Sequence, residues 1–112
     1  MSQQTIQRKQ LLTAVLGDRN VTSADVREIR LDPGQQSGRH VHPCAVLGYI
    51  VAGTAVYQVE GQPEQVLSAG SAFYEAADTI VANFGNASDT ETLTFVAFYL
   101  LDGEQDLIRM LS

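Results

Sequence analysis

The chain has 112 residues, 45% of them hydrophobic and 18% charged, with seven basic against thirteen acidic side chains and a formal charge of −6. That length is one domain, large enough for a single core. The acidic balance repels phosphate backbones and anionic lipid, which excludes nucleic acid and membrane surfaces as partners. A single cysteine, Cys44, rules out an intramolecular disulfide, and the chain reads as cytoplasmic. Residues 1–20 form an N-terminal arm, polar and glutamine-rich at its start; Gln10–Leu16 fits a short strand or one helical turn.

Strand candidates then follow at short intervals. Val26–Leu31 ends at Asp32-Pro33-Gly34, Arg39–His42 is brief, and Leu47–Ala52 turns at Gly53-Thr54 into Ala55–Glu60. Gln65–Leu67, Ala72–Glu75 and Ile80–Phe84 are separated by Ser68-Ala69-Gly70 and Ala77-Asp78, and Gly85–Asp89 is a polar loop. Thr92–Leu101 is apolar on both faces: Leu93, Phe95, Ala97 and Tyr99 on one, Val96, Phe98 and Leu100 on the other. A two-sided strand in a small sheet protein predicts a core on one side and a homodimer contact on the other. Residues 104–111 predict a short terminal helix or arm. Short strands with glycine, proline and aspartate turns give an all-β sandwich or barrel over residues 26–101, in one domain spanning 1–112.

The chemistry-bearing stretch is Gly34–Gly53, which holds both histidines, His40 and His42. At i and i+2 of a strand they share a face with Cα atoms roughly 6.6 Å apart, a start for a metal site. Cys44 has the same parity, although Pro43 predicts a bend before it.

These residues resemble the first motif of the cupins, a superfamily of small double-stranded β-helix, or jelly-roll, barrels. Gly34 is followed by five residues and His40-Val41-His42, and Gly53 stands where the motif closes, but its glutamate position is Val46. Of the second motif Gly70 fits, while the proline, glycine, histidine and asparagine positions carry Ala76, Asp78, Val81 and Gly85. The resemblance implies a metal held by two histidines, a glutamate and a third histidine. Here two of the four are valine, so the inherited site is expected to be absent, with no catalytic residues and no cofactor. The expected role is a small-molecule ligand bound in the barrel by His40, His42, Tyr49, Tyr57, Phe73 and Val81.

Beside it stand a homodimeric interaction module with a vestigial pocket and two enzymatic alternatives. In one, His40 and His42 bind a divalent transition metal with a non-motif ligand (Cys44, Glu75 or Asn83) for dioxygenase- or isomerase-like chemistry. In the other, resembling cupin sugar epimerases, a histidine base works with a tyrosine acid, Tyr49, Tyr57 or Tyr74, and Arg30 or Arg39 faces a nucleotide diphosphate.

Overall fold

The structure is a computed structural model describing residues 5–112. Among the described residues nine strands follow in order: β1 (Ser23–Leu31), β2 (His40–Val41), β3 (Ala45–Ala52), β4 (Thr54–Val59), β5 (Gln65–Ser68), β6 (Ala72–Glu75), β7 (Ile80–Asn86), β8 (Leu93–Leu101) and β9 (Arg109–Met110). They form a four-stranded sheet in the order β1-β8-β3-β6 and a five-stranded sheet in the order β5-β4-β7-β2-β9. Every pairing is antiparallel. No helix among the described residues is long and apolar enough to cross a membrane.

Alternation fixes the inner faces. On β8, Leu93, Phe95, Ala97 and Tyr99 are buried while Phe98 between them is 36% exposed. Ile50, Ala55, Tyr57, Phe73, Val81 and Phe84 join them in one cluster between the sheets. Its aromatic rings meet at tilted angles, Phe84 with Phe95 at 4.8 Å and Phe73 with Phe84 at 5.2 Å between centroids. Gly48 is what lets Phe73 lie flat against β3, because a β-carbon there would run into the ring. Gly53, with φ 88°, makes the β3–β4 turn, where a side chain would collide with the Thr92 carbonyl.

Buried Asn86 ties the far ends of β1, β7 and β8 together. Its Nδ2 donates to the carbonyls of Leu31, Asp32 and Glu91, and its Oδ1 accepts from Ser88 N. These bonds satisfy a polar side chain that is only 2% exposed.

Two local expectations are corrected, and for residues 104–111 the arm alternative is the one that remains. Gln10–Leu16 is neither strand nor helix, and the start of the predicted arm, residues 1–4, lies outside the described residues. Residues 104–111 form no helix. They run along the barrel mouth and end in β9, which adds to β2 and closes that sheet's edge. Leu107 packs against the core from this segment, so its apolar residues serve an irregular strap. The Gly85–Asp89 loop is shorter than expected, since β7 runs on to Asn86.

Candidate metal site

His40 and His42 enter the space between the sheets from β2 and the residue just after it, both under 10% exposed, with ring centroids 4.9 Å apart. Each ring is held through Nδ1. That of His40 lies 2.9 Å from the Gly38 carbonyl oxygen, and that of His42 lies 2.7 Å from the Leu107 carbonyl oxygen. Donation from Nδ1–H to a carbonyl leaves the Nε2 lone pair facing inward, the orientation seen in metal-ligating histidines.

Glu75, at the end of β6, is 4% exposed and completes the group. Among the described residues His40, His42 and Glu75 are the cluster able to hold a metal, with ligand atoms all within 4.8 Å of one another. The β3–β6 register explains its position: Glu75 is the cross-strand partner of Val46. Directly opposed residues share a face. The carboxylate absent from the motif position is therefore supplied one strand over, on the same inner surface. Val81, the other substituted position, is the cross-strand partner of His40.

The contact between Glu75 and His42 is chemically pointed. Oε2 of Glu75 lies 2.8 Å from His42 Nε2, yet it has no hydrogen-bond partner of acceptable geometry and is buried. A bare imidazole lone pair facing a carboxylate oxygen at that distance is repulsive, so the site calls for a cation. Either a second proton sits on His42 or a metal ion lies where both atoms point. Burial is the strongest influence on His42 and lowers its pKa, but the Glu75 carboxylate and the Leu107 carbonyl together hold it above the usual imidazole value.

The group opens into a cavity of about 140 Å³. Its wall is mostly apolar, with Ile29, Leu31, Val46, Phe73, Phe84 and Phe95, and Tyr99 adds a phenol. Burial first, and the Glu75 charge second, raise the Tyr99 pKa, so the hydroxyl keeps its proton at neutral pH.

Of the residues predicted to bind a ligand, His40, His42 and Phe73 line this cavity. Tyr49 does not: it lies on the outer face of the four-stranded sheet, 36% exposed, beside Leu47, Ala72 and Phe98. Tyr57 and Val81 point inward but are consumed by the packed core, and neither reaches the cavity wall.

Two substitute ligands also fall away. Cys44 sits in the Pro43-Cys44 bend between β2 and β3 and is fully buried in the core, outside the His40, His42 and Glu75 cluster; burial there raises its thiol pKa. Asn83 loses parity with Val81 through a bulge, since Gln58 pairs with Asn83 and Val59 with Val81. Its side chain bonds Gln36 and Gly38 instead.

The epimerase arrangement is not assembled either. Tyr74 is opposed to Leu47 on the outer face, Arg30 is exposed beside Glu28, and Arg39 is held by Glu60 and the Ser112 carbonyl. Sequence reasoning missed Tyr99 as a site residue, although its place on the buried face of β8 was legible. It also missed Ile108, which reaches the cavity from the strap.

Comparison of the sequence with curated proteins returns no match. Solved structures share the architecture. A DMSP lyase from Ruegeria pomeroyi superposes with a TM-score of 0.68 at 18% identity, over 79% of this chain and 43% of that one. A cupin-like protein from Thermotoga maritima gives 0.65 at 22% identity, over 79% and 64%. An RmlC-like cupin with a double-stranded β-helix fold from Methanocaldococcus jannaschii gives 0.62 at 19%, over 69% of each. The chain spans less than half the length of the DMSP lyases it matches. The two packed sheets are thus a double-stranded β-helix, and a family model described as the cupin domain matches residues 27–99. With more than half its length matched, the chain belongs to the cupin domain family.

Proposed function

We propose that this cupin binds a divalent transition metal through His40, His42 and Glu75, and acts on a small molecule in the adjoining cavity. The observation that carries the reading is the orphaned Glu75 Oε2 beside His42 Nε2. Two imidazoles and one carboxylate make a facial set suited to borderline first-row metals. Ligand atoms bonded to one ion at about 2.0–2.2 Å lie roughly 3–4 Å apart, which small rotations of these side chains achieve. A bound ion supplies Lewis-acid polarisation of a ligand oxygen.

The chain's own groups do the rest. Gly38 and Leu107 carbonyls fix the imidazole tautomers, Val46 and the phenylalanines exclude water, and the Tyr99 hydroxyl is a proton donor held in its acid form. That DMSP lyases share the scaffold supports chemistry in such a barrel, while the substrate does not carry over at this identity. Elemental analysis of tag-free protein tests the reading. About one equivalent of metal is expected after reconstitution, and less than roughly a tenth of an equivalent removes it.

A second reading keeps the cavity and drops the ion: the apolar wall, with Val46 at the motif glutamate position, binds a weakly polar molecule without catalysis. Ligand recovered by mass spectrometry from protein that takes up no metal favours it. Under either reading a second copy covers the apolar outer face of the four-stranded sheet, making a homodimer.

A further inference from the structure

Among the described residues the inner face of the four-stranded sheet carries one cation, and it stands at the cavity's edge. The β1–β8 register places Asp25 opposite Tyr99, Arg27 opposite Ala97 and Ile29 opposite Phe95. Tyr99, Ala97, Ile29 and Phe95 all line the cavity, and opposed residues share a face. Arg27 therefore projects from the cavity side of edge strand β1, with lining residues across from it and beside it. Across the sheet its row continues through Ala97 and Gly48, and the Phe73 ring lies against Gly48, so the row runs from the guanidinium to the cavity's aromatic wall. Of the other arginines on the barrel strands, Arg30 lies beside Glu28, and Arg109, on β9, is exposed and not among the cavity's lining residues; Arg39, just before β2, is forked onto Glu60.

Asp25 fixes how Arg27 is presented. Nε donates to Oδ1 at 2.8 Å and Nη2 approaches Oδ2 at 3.4 Å, so one side of the planar guanidinium is anchored. Among the described residues nothing accepts from Nη1, and the side chain is 56% exposed. An anchored guanidinium with free donors is a ready fork for a planar oxyanion.

We propose that Arg27 is the residue that selects the ligand's charge: the barrel takes a small organic acid, its carboxylate on Arg27 at the mouth and its apolar part among the cavity phenylalanines. The inference rests on the reading that the cavity binds a small molecule, and it holds whether or not an ion is present. A hydrocarbon body fits a wall of Ile29, Phe73, Phe84 and Phe95.

Benzoate and its neutral isostere benzamide test this, titrated into the isotope-labelled full chain with and without zinc. Benzoate should shift the Arg27 Nε–H and the amide signals of Ile29, Ala97 and Tyr99. Arg27→Gln should weaken it roughly tenfold, the worth of one charge-assisted contact, and leave benzamide unchanged. Equal benzoate affinity in wild type and Arg27→Gln overturns the proposal, as does the absence of cavity shifts with benzoate. Zinc uptake measured on the same samples reports on the metal site separately: zinc bound without benzoate sinks this inference alone, and benzoate bound without zinc sinks only the metal.

Discussion

The two faces of the four-stranded sheet are made from similar residues and have different fates. On β8 the inward Leu93, Phe95, Ala97 and Tyr99 are all under 10% exposed, while the outward Phe98 is 36% exposed, with Val26 and Val51 on neighbouring strands at 57% and 47%. Composition does not separate these faces; their partners do. The inner face meets a second sheet and, at one end, the polar group His40, His42 and Glu75. The outer face meets a groove shared with Lys9, Gln10, Leu11 and Leu12 of the arm. Apolar residues thus mark that a strand is covered on a face, and only the packing across from it tells whether the cover is a core, a site or an arm.

Truncation gives the largest contrast between the faces. Leu93→Ala removes a fully buried side chain from the core and should cost about 2–5 kcal/mol in chemical denaturation. It should leave metal stoichiometry per folded molecule unchanged, because Leu93 lies outside the cavity wall. A matching loss of metal would show that core and site are one cooperative unit.

At the polar end of the same inner face, Glu75→Gln keeps the shape and removes the charge. Metal affinity should fall at least about a hundredfold, equivalent to roughly 2.7 kcal/mol, by titration against a competing chelator. Metal-free stability should hold or rise only at pH above the His42 transition, where the buried carboxylate has no proton to face, and should fall below it, where the variant loses the protonated His42 contact. Unchanged affinity in this variant would remove the carboxylate from the ligand set.

How much of this was legible depends on the range of the interaction that sets each feature. Strand positions follow local alternation and turn residues, so Ala72–Glu75 coincides with β6 and the buried face of β8 is the one its pattern shows. The histidine pair is local too. Glu75 was one of three substitutes until the β3–β6 register set it against Val46, and register between strands this distant in sequence cannot be read from spacing. The bulge at Asn83 reversed a parity that a straight strand would have kept, and the bend at Cys44 left its thiol in the core but outside the His40, His42 and Glu75 group. The strap was left open between a helix and an arm because β9 owes its form to β2 and the Leu107 carbonyl is held by His42, contacts absent from its own pattern.

Acid and metal should pull the same site in opposite directions. The folded-state pKa of His42 is raised above its ordinary value of 6.5. The protonated ring beside Glu75 therefore stabilises the metal-free fold fully below pH 6.5, and this contribution is lost as pH rises through the folded-state value. A metal needs the same ring neutral, so its affinity should rise over that window. Thermal melts with and without zinc across it should diverge as pH increases. Parallel curves would mean that His42 is not a ligand.

The smallest effect belongs to the outer face. Phe98→Ser removes apolar surface that is already partly wet, and the folded monomer should lose no more than about 1 kcal/mol, far less than Leu93→Ala. The homodimer proposed above should respond instead: light scattering on wild type should give twice the chain mass at micromolar concentration, and Phe98→Ser should shift it toward one chain. If both proteins scatter as single chains, the arm residues Leu11 and Leu12 are all the cover that Phe98 and Tyr49 receive. The apolar outer stripe of β8 then serves the protein's own N-terminal segment, and the two faces differ in how tightly they are covered rather than in whose chain covers them.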